Sequence, residues 1–374
     1  MPSALISGAS VTGPTLAFWL ARAGWSVTLV EKAPGMRAGG QAIDIRGPAL
    51  TVIERMGLLP AVMALRTHHK GMTVLDRQGQ EISRTTERTA SAGRLDSGDV
   101  EIFRDDLSRL LVEASQDKVE YLYGDSIEEL EDDDTAVLAS FRRAADRRFD
   151  IVVGADGLRS NVRWLAFDSD GRWLAPLGVG FAIYTVPNIL GLTDWQLSFR
   201  DETSGYVIYP SQTNEDLRVN LGFALMPDEF PRGDPEAQRD IILRRTAHLG
   251  GPIPALLEHL PEASDLWFGP LAQVKMPSWS NGRVALVGDA GYCPSPFTGQ
   301  GTSLAIIGAF VLAKELARTP TDAEAAFQRY EARMRPFVTL NQDLLSLSRQ
   351  GPAPDDVFDR AKNGIDLSDY WSAP

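Results

Sequence analysis

The chain has 374 residues, of which 44% are hydrophobic and 23% charged, with a formal net charge of −13. That length predicts two domains or one large α/β domain, and the acidic balance argues against a nucleic-acid groove or a general affinity for anionic membrane. A single cysteine, Cys293, excludes an internal disulfide and a cysteine metal cluster, and fits a reducing cytoplasm.

In chain order, Ala4 to Gly8 is a short apolar run without alternation, the pattern of a parallel strand buried on both faces. No signal peptide is expected before it, because the first residues lack a charged region and a long apolar one. A helix over 14–24 follows, stopped by Gly24, and then a second strand over Ser26 to Glu31, which completes a βαβ unit. Residues 48–57 predict a helix with Pro48 in its first turn and Gly57 as its stop. Residues 68–84 predict a hairpin about Gln78-Gly79, and 105–117 a helix. His68 and His69, being adjacent, would point apart on a strand; a metal pair is not expected, and both are expected to be exposed loop residues.

Two later runs, "FDIVVGADG" and "GRVALVGDAG", repeat the first strand's grammar of apolar residues running into Gly and then Asp. Between them, residues of about 172–275 alternate partially and are rich in aromatics, which predicts an antiparallel sheet inserted into the first domain. The apolar run "LAIIGAFVLA" is too short to span a bilayer and predicts a buried helix. Beyond it, Thr321 and Glu324 have capping-box spacing. Phe327, Tyr330, Met334, Phe337, Leu340, Leu344 and Leu347 form a helical packing stripe, kinked at Pro336.

The segment Gly8 to Gly13, "GASVTG", is a dinucleotide fingerprint with Ser10 at the second glycine. Gly8 allows the tight turn, the second position lets backbone approach a pyrophosphate, and Gly13 allows close helix–sheet packing. Glu31, at the end of the second strand, is placed to accept hydrogen bonds from a ribose diol. Asp156 and Asp289 lie at the same end of the sheet; each is either a ligand-binding carboxylate or a turn and helix-cap former. There is one fingerprint and no second nucleotide unit.

Taken together, "GASVTGP" with Glu31, "DIVVGADGLRSNVR" and "RVALVGDAGYCPSPFTGQGTSLAI" resemble the three hallmark motifs of class A flavoprotein monooxygenases, the FAD-dependent aromatic hydroxylases. "GGQAIDIRG" looks nearest to the branch with tetracycline-inactivating enzymes and polyketide hydroxylases. The family's third motif usually carries histidine where this chain has Tyr292, so that histidine's role does not transfer. The resemblance implies an α/β fold: a Rossmann-like FAD-binding domain (1–70, 97–171 and 276–320), an inserted antiparallel-sheet substrate domain (71–96 and 172–275), a C-terminal helix (321–349) and a tail (350–374).

The cofactors it implies are FAD, with NADPH or NADH as co-substrate. Gly8, Ser10 and Gly13 would hold the pyrophosphate, Glu31 the ribose and Asp289 the ribityl chain, with Lys32 as a further cofactor-binding residue. Asp44 and Asp156 join this set with Gly288, Gly299, Gly301 and Thr302. Arg104 either reaches the pyrophosphate or flavin or is a helix-start surface charge. Arg46 either neighbours the flavin face, with Pro294 and Pro296, or forms a surface ion pair. Phe181, Tyr184, Phe199, Tyr209, Asn220, Phe223 and Pro296 are the candidate substrate lining, each with core packing as the alternative. The flavin would activate O2 as a C4a-hydroperoxide and transfer one oxygen to an aromatic small molecule. The expected protein is a cytoplasmic monomer or homodimer, with no metal and no membrane insertion. A flavin dehydrogenase or halogenase, or a non-catalytic flavin-binding protein, is the alternative; the tryptophan-rich halogenase motif is absent. Cys293 is expected to be a small buried thiol.

Overall fold

The computed structural model describes residues 1–36, 39–133, 135–167, 171–347 and 354–371. Its first layer is a six-stranded sheet. In spatial order the strands are Ser280–Asn281, Val284–Leu286, Ile151–Gly154, Ser3–Ser7, Ser26–Glu31 and Val119–Tyr123. All neighbours pair in parallel except the short antiparallel edge strand Ser280–Asn281. The three inner apolar runs lack alternation because helices and chain cover both faces. Helix Gly301–Arg318 packs between helix Thr12–Arg22 and helix Ala323–Leu347, and its run Leu304 to Ala313 is buried. No described helix is long and apolar enough to cross a membrane.

The second layer is a seven-stranded sheet. Its order is Trp267–Val274, Leu174–Pro187, Asp216–Ala224, Ser204–Pro210, Gln196–Arg200, Met72–Leu75 and Glu81–Thr85. The last two strands are the hairpin about Gln78-Gly79. Register fixes two faces, since side chains alternate along each strand. The cross-strand row Tyr184, Val219, Ile208 and Leu197 faces one way, and the row Ile183, Asn220, Val207 and Ser198 the other. The first face forms a separate apolar core with Ile242 and Leu256 from the covering helices Pro235–Thr246 and Ile253–Leu257. The second face looks toward a separate two-stranded sheet of Ala42–Ile45 and Val100–Phe103: the backbone N–H of Ala42 donates to the Tyr209 hydroxyl at 2.9 Å.

The C-terminal region departs from the sequence-based expectation in two ways. Helix Ala323–Leu347 is capped by Asp322, whose carboxylate accepts from the Ala325 N–H at 3.0 Å. Thr321 lies one residue too early for its box with Glu324. Finally, residues 354–371 are not a bare tail: they form helices Asp355–Lys362 and Ser368–Trp371, packed on the body. Asn341 donates to the Ala361 carbonyl at 3.0 Å, Tyr370 donates to Glu315 at 2.6 Å, and Trp371 stacks on Phe310 at 4.5 Å.

Candidate active site

Four of the parallel strands, Ser3–Ser7, Ser26–Glu31, Ile151–Gly154 and Val284–Leu286, lead to one crevice, and there the glycines are sterically required. Gly8 has φ +108°, and a Cβ on it would lie 2.6 Å from the Ala155 carbonyl oxygen. A Cβ on Gly13 would lie 1.9 Å from the Gly8 carbonyl oxygen. The strand–turn–helix therefore closes only with glycine at both places. Helix Thr12–Arg22 starts with no side-chain cap and no acid in its first turn, so its leading N–H groups face the crevice free for an anion. Ser10 lies within 3.4 Å of the Ser108 hydroxyl.

The acids behave differently from one another. Glu31 accepts from the backbone N–H groups of Ala9 at 3.0 Å and Ala33 at 2.9 Å, which fixes its carboxylate at the crevice rim. Asp156 lines the crevice too, but its oxygens accept from Ser160, Asn161 and Val162 and so cap helix Asn161–Ala166. Burial pushes its carboxyl up against those bonds. Asp289 opens the turn Asp289–Tyr292 after Gly288 (φ +67°) and lines the cavity; burial pushes its carboxyl up as well. A fourth acid, Asp125, was not singled out by the sequence. It accepts from the Ser126, Arg143 and Ala144 N–H groups and is a turn former.

Arg104 is half-buried and borders the cavity. It donates to the Gly39 carbonyl at 2.7 Å, and a Cβ on Gly40 would strike it at 2.6 Å. Lys32 is exposed at the rim. Arg46 is buried, 4% exposed, which removes the surface-pair alternative. It pairs with Asp44 at 2.7 Å and Asp99 at 3.3 Å, and donates to the carbonyls of Gly299 at 3.1 Å and Ala92 at 2.9 Å. Its own N–H donates to Ser303 in the first turn of helix Gly301–Arg318. Arg46 thus holds the glycine loop against strand Ala42–Ile45. Burial pushes the Asp44 carboxyl up to about 7, opposed by Arg46 and reinforced by Glu101 and Asp99. The sequence missed Asp99 and, from the C-terminal segment, Lys362, which pairs with Asp99 at 3.1 Å.

The loop from Pro294 to Thr302 turns through Ser295 (φ +81°) and Gly299 (φ +62°). Pro294, Pro296, Gly299, Gly301 and Thr302 all border the cavity. Cys293 is buried there, and burial pushes its thiol well up, which disfavours the thiolate. Tyr292 turns away from the cavity. Its ring packs on Trp279 at 4.5 Å, and its oxygen accepts from the Tyr330 hydroxyl at 3.0 Å. A Cβ on Gly308 would lie 2.0 Å from that same oxygen.

Of the candidate substrate residues, Phe181, Tyr209 and Asn220 lie on the sheet face toward the cavity. Tyr184 does not: it is fully buried in the opposite core and donates to the Leu256 carbonyl at 3.3 Å. The period of two along the strand puts it on the wrong face. Phe199 and Phe223 touch the cavity wall, yet their rings pack in that same core, against Tyr206 at 5.4 Å and Phe268 at 5.7 Å. His68 is exposed, but the His69 side chain is 4% exposed and pairs with Glu101 at 3.0 Å. That overturns the exposed-loop expectation for His69; the signal was Glu101, buried on the short strand Val100–Phe103.

All of these walls enclose one continuous cavity of about 2230 Å³. Pockets for one drug-sized molecule run to about 1,000 Å³, so this one has room for a dinucleotide and a second molecule.

Residues 2–344 match the family described as FAD binding domain. An uncharacterized protein of Mycobacterium tuberculosis strain H37Rv is 45% identical over 372 residues, covering 99% of this chain and 100% of that one. A flavin-dependent monooxygenase of an unknown prokaryotic organism is 37% identical over 341 residues, covering 90% and 87%. The crystal structure of tetracycline destructase Tet(55) superposes with a TM-score of 0.86 at 32% identity, covering 97% of each chain. The chain belongs to the FAD-binding domain family and, within it, to the class A flavoprotein monooxygenases. It is a flavin-dependent monooxygenase. The crevice suits the cofactor: two sterically required glycines, a helix start without a side-chain cap, and the Glu31 carboxylate held at the rim by two backbone N–H groups.

Proposed function

We propose that this enzyme inserts one atom of O2 into an aromatic or polycyclic small molecule, with NADPH or NADH supplying the electrons. The observation that carries the reading is the continuity of the cavity, from the Gly8–Gly13 turn past Asp289 to the inner face of the seven-stranded sheet. Gly8, Ser10, Gly13 and the start of helix Thr12–Arg22 would hold the FAD pyrophosphate, Glu31 the adenosine ribose, and Asp289 the ribityl chain. Arg104, anchored on Gly39, would bear on the pyrophosphate or the flavin.

When bound, the flavin supplies the oxygen activation. The chain's own part is to bind, orient and exclude water. The backbone N–H groups of Gly301 and Thr302, at the start of an 18-residue helix, would stabilise negative charge on the pyrimidine edge of the reduced ring. Arg46 would position that helix start, through its own N–H on Ser303 and its guanidinium on the Gly299 carbonyl. Pro294 and Pro296 would border the flavin face, and the substrate would lie over Phe181, Tyr209 and Asn220.

The test is to purify the holoprotein, record its flavin spectrum, and follow NADPH and NADH oxidation with tetracycline and a panel of phenols under labelled O2. The expected result is a product heavier by one labelled oxygen. Failure to bind FAD, or substrate-stimulated turnover with no oxygen incorporated, overturns the reading.

A further inference from the structure

Glycine in the middle of a central strand weakens it, and it marks a bulge, a tight bend, or a place where something else comes close. Gly222 is such a glycine. It sits on strand Asp216–Ala224, directly opposite Phe181 on one neighbour and Gly205 on the other, with no register shift in either ladder. Its φ is not positive, so its backbone makes no demand for glycine. A Cβ built on it would meet nothing nearer than Phe181 Cδ2 at 3.7 Å and the Gly205 carbonyl oxygen at 3.9 Å, both ordinary contacts. Gly205 is different: a Cβ there would lie 2.9 Å from the Phe199 carbonyl oxygen, so its own hairpin excludes a side chain. The protein has a reason for Gly205 and none for Gly222.

Both glycines border the cavity, on the face opposite the second core. Side by side on adjacent strands they leave bare backbone, flanked by the half-buried Phe181 ring lying low beside Gly222. The next row inward pairs the apolar Ile183 and Val207 with the small polar Ser198 and with Asn220, whose amide is partly engaged on the Val207 carbonyl at 3.1 Å. Strand and row spacings make this patch roughly 7 by 10 Å, a floor for a fused ring system more than for one ring. A flat π-face laid there would also meet the edge or face of Phe181.

We propose that Gly222 is a specificity-determining residue: its missing side chain keeps a flat floor open, so that the site admits planar fused-ring substrates. This rests on the reading of the cavity as a small-molecule site. The proposal is about ring number, which that reading leaves open.

The experiment uses the FAD-loaded enzyme and two probes, 1,2-dihydroxyanthraquinone and its one-ring fragment catechol, with affinity read by tryptophan fluorescence. Gly222→Ala and Gly222→Val are compared with wild type for Tm, flavin content and both dissociation constants. Expected are an unchanged or raised Tm, unchanged flavin content, and a loss of anthraquinone affinity of about 10-fold or more in the valine variant. The alanine variant should lie between, and catechol affinity should change far less than that of the anthraquinone. Wild-type enzyme that binds the anthraquinone no tighter than catechol overturns the proposal, as does equal weakening of both probes. A folded valine variant with wild-type anthraquinone affinity overturns it too. If valine prevents folding, the ratio of the two affinities in the alanine variant decides. The flavin spectrum and labelled-oxygen assay judge the monooxygenase reading separately.

Discussion

Gly13 sits in the nucleotide turn, behind the residues that line the cavity, and Gly222 borders the cavity on the seven-stranded sheet; neither has a positive φ. A methyl on Gly13 would sit 1.9 Å from a backbone oxygen, whereas one on Gly222 would have nothing nearer than 3.7 Å. At the nucleotide end the chain's own backbone demands glycine, so the demand recurs at fixed spacing and reads as a motif. At the sheet floor no protein atom demands it, and the residue carries no pattern. The same residue type therefore reports a fold constraint in one region and, on our reading, a ligand constraint in the other.

The most severe way to test that contrast is Gly13→Ala. A carbonyl oxygen cannot yield as a flexible side chain can, so the turn must open. The expected loss is about 3 kcal/mol or more, with flavin content falling in parallel. Thermal unfolding and flavin absorbance check it. Retention of both would break the comparison, because Gly13 would then resemble Gly222.

Arg46→Met is expected to come close behind. It leaves the buried Asp44 and Asp99 carboxylates and two carbonyls short of a partner, at a loss of roughly 3–5 kcal/mol. Lys362→Met removes only the outer partner of Asp99 and should lose about 1 kcal/mol. Denaturant midpoints for the pair show whether the cluster depends on Arg46 or is shared evenly.

Gly308 sharpens the contrast with a third case, a glycine demanded by a side chain. A Cβ there would meet the Tyr292 oxygen at 2.0 Å but the ring carbon behind it only at 3.2 Å. Gly308→Ala should cost about 2 kcal/mol, and adding Tyr292→Phe should restore most of it, although Tyr292→Phe alone loses the Tyr330 hydrogen bond. A double-mutant cycle with no coupling would show that the helix moves instead.

Asp44 gives a pH signature. Its folded pKa, about 7, lies above the ordinary 3.8, so the folded state holds a proton that the unfolded chain releases. Its stabilising contribution is present below about pH 4 and is lost as pH rises toward 7. Asp44→Asn should therefore make the slope of stability against pH less negative between pH 5 and 7, by roughly 1–2 kcal/mol across that window. An unaltered slope would mean that Arg46 keeps Asp44 ionised throughout.

The parallel sheet, its glycine turn and the acids at its strand ends were legible because each depends on residues close in sequence. Glu31 and Gly13 take their meaning from a single βαβ unit. Arg46 was legible only as a candidate, since Asp99, Gly299 and Lys362 reach it from distant segments. The docking of 354–371 was invisible for the same reason: Tyr370 finds Glu315 and Trp371 finds Phe310 only in three dimensions. In the antiparallel sheet the aromatics were legible as a set but not by face, because a one-residue choice of register exchanges core and cavity.

Tyr184 and Tyr209 turn that last point into the smallest of the expected effects. Both are buried tyrosines on the same sheet, and in both burial pushes the phenol above its usual range. Tyr184 points into the second core and donates to Leu256, whereas Tyr209 borders the cavity and accepts from Ala42 on the facing strand Ala42–Ile45. Replacing either with phenylalanine removes one hydroxyl and should lose about 1 kcal/mol of stability. Only Tyr209→Phe should also shift the affinity for a ring ligand, because only there does the lost hydroxyl border the ligand's space and fix strand Ala42–Ile45 beside it. Equal affinity changes in the two variants would mean that the register does not separate core from cavity. The floor assigned to Gly222, which depends on the same register, would fall with it.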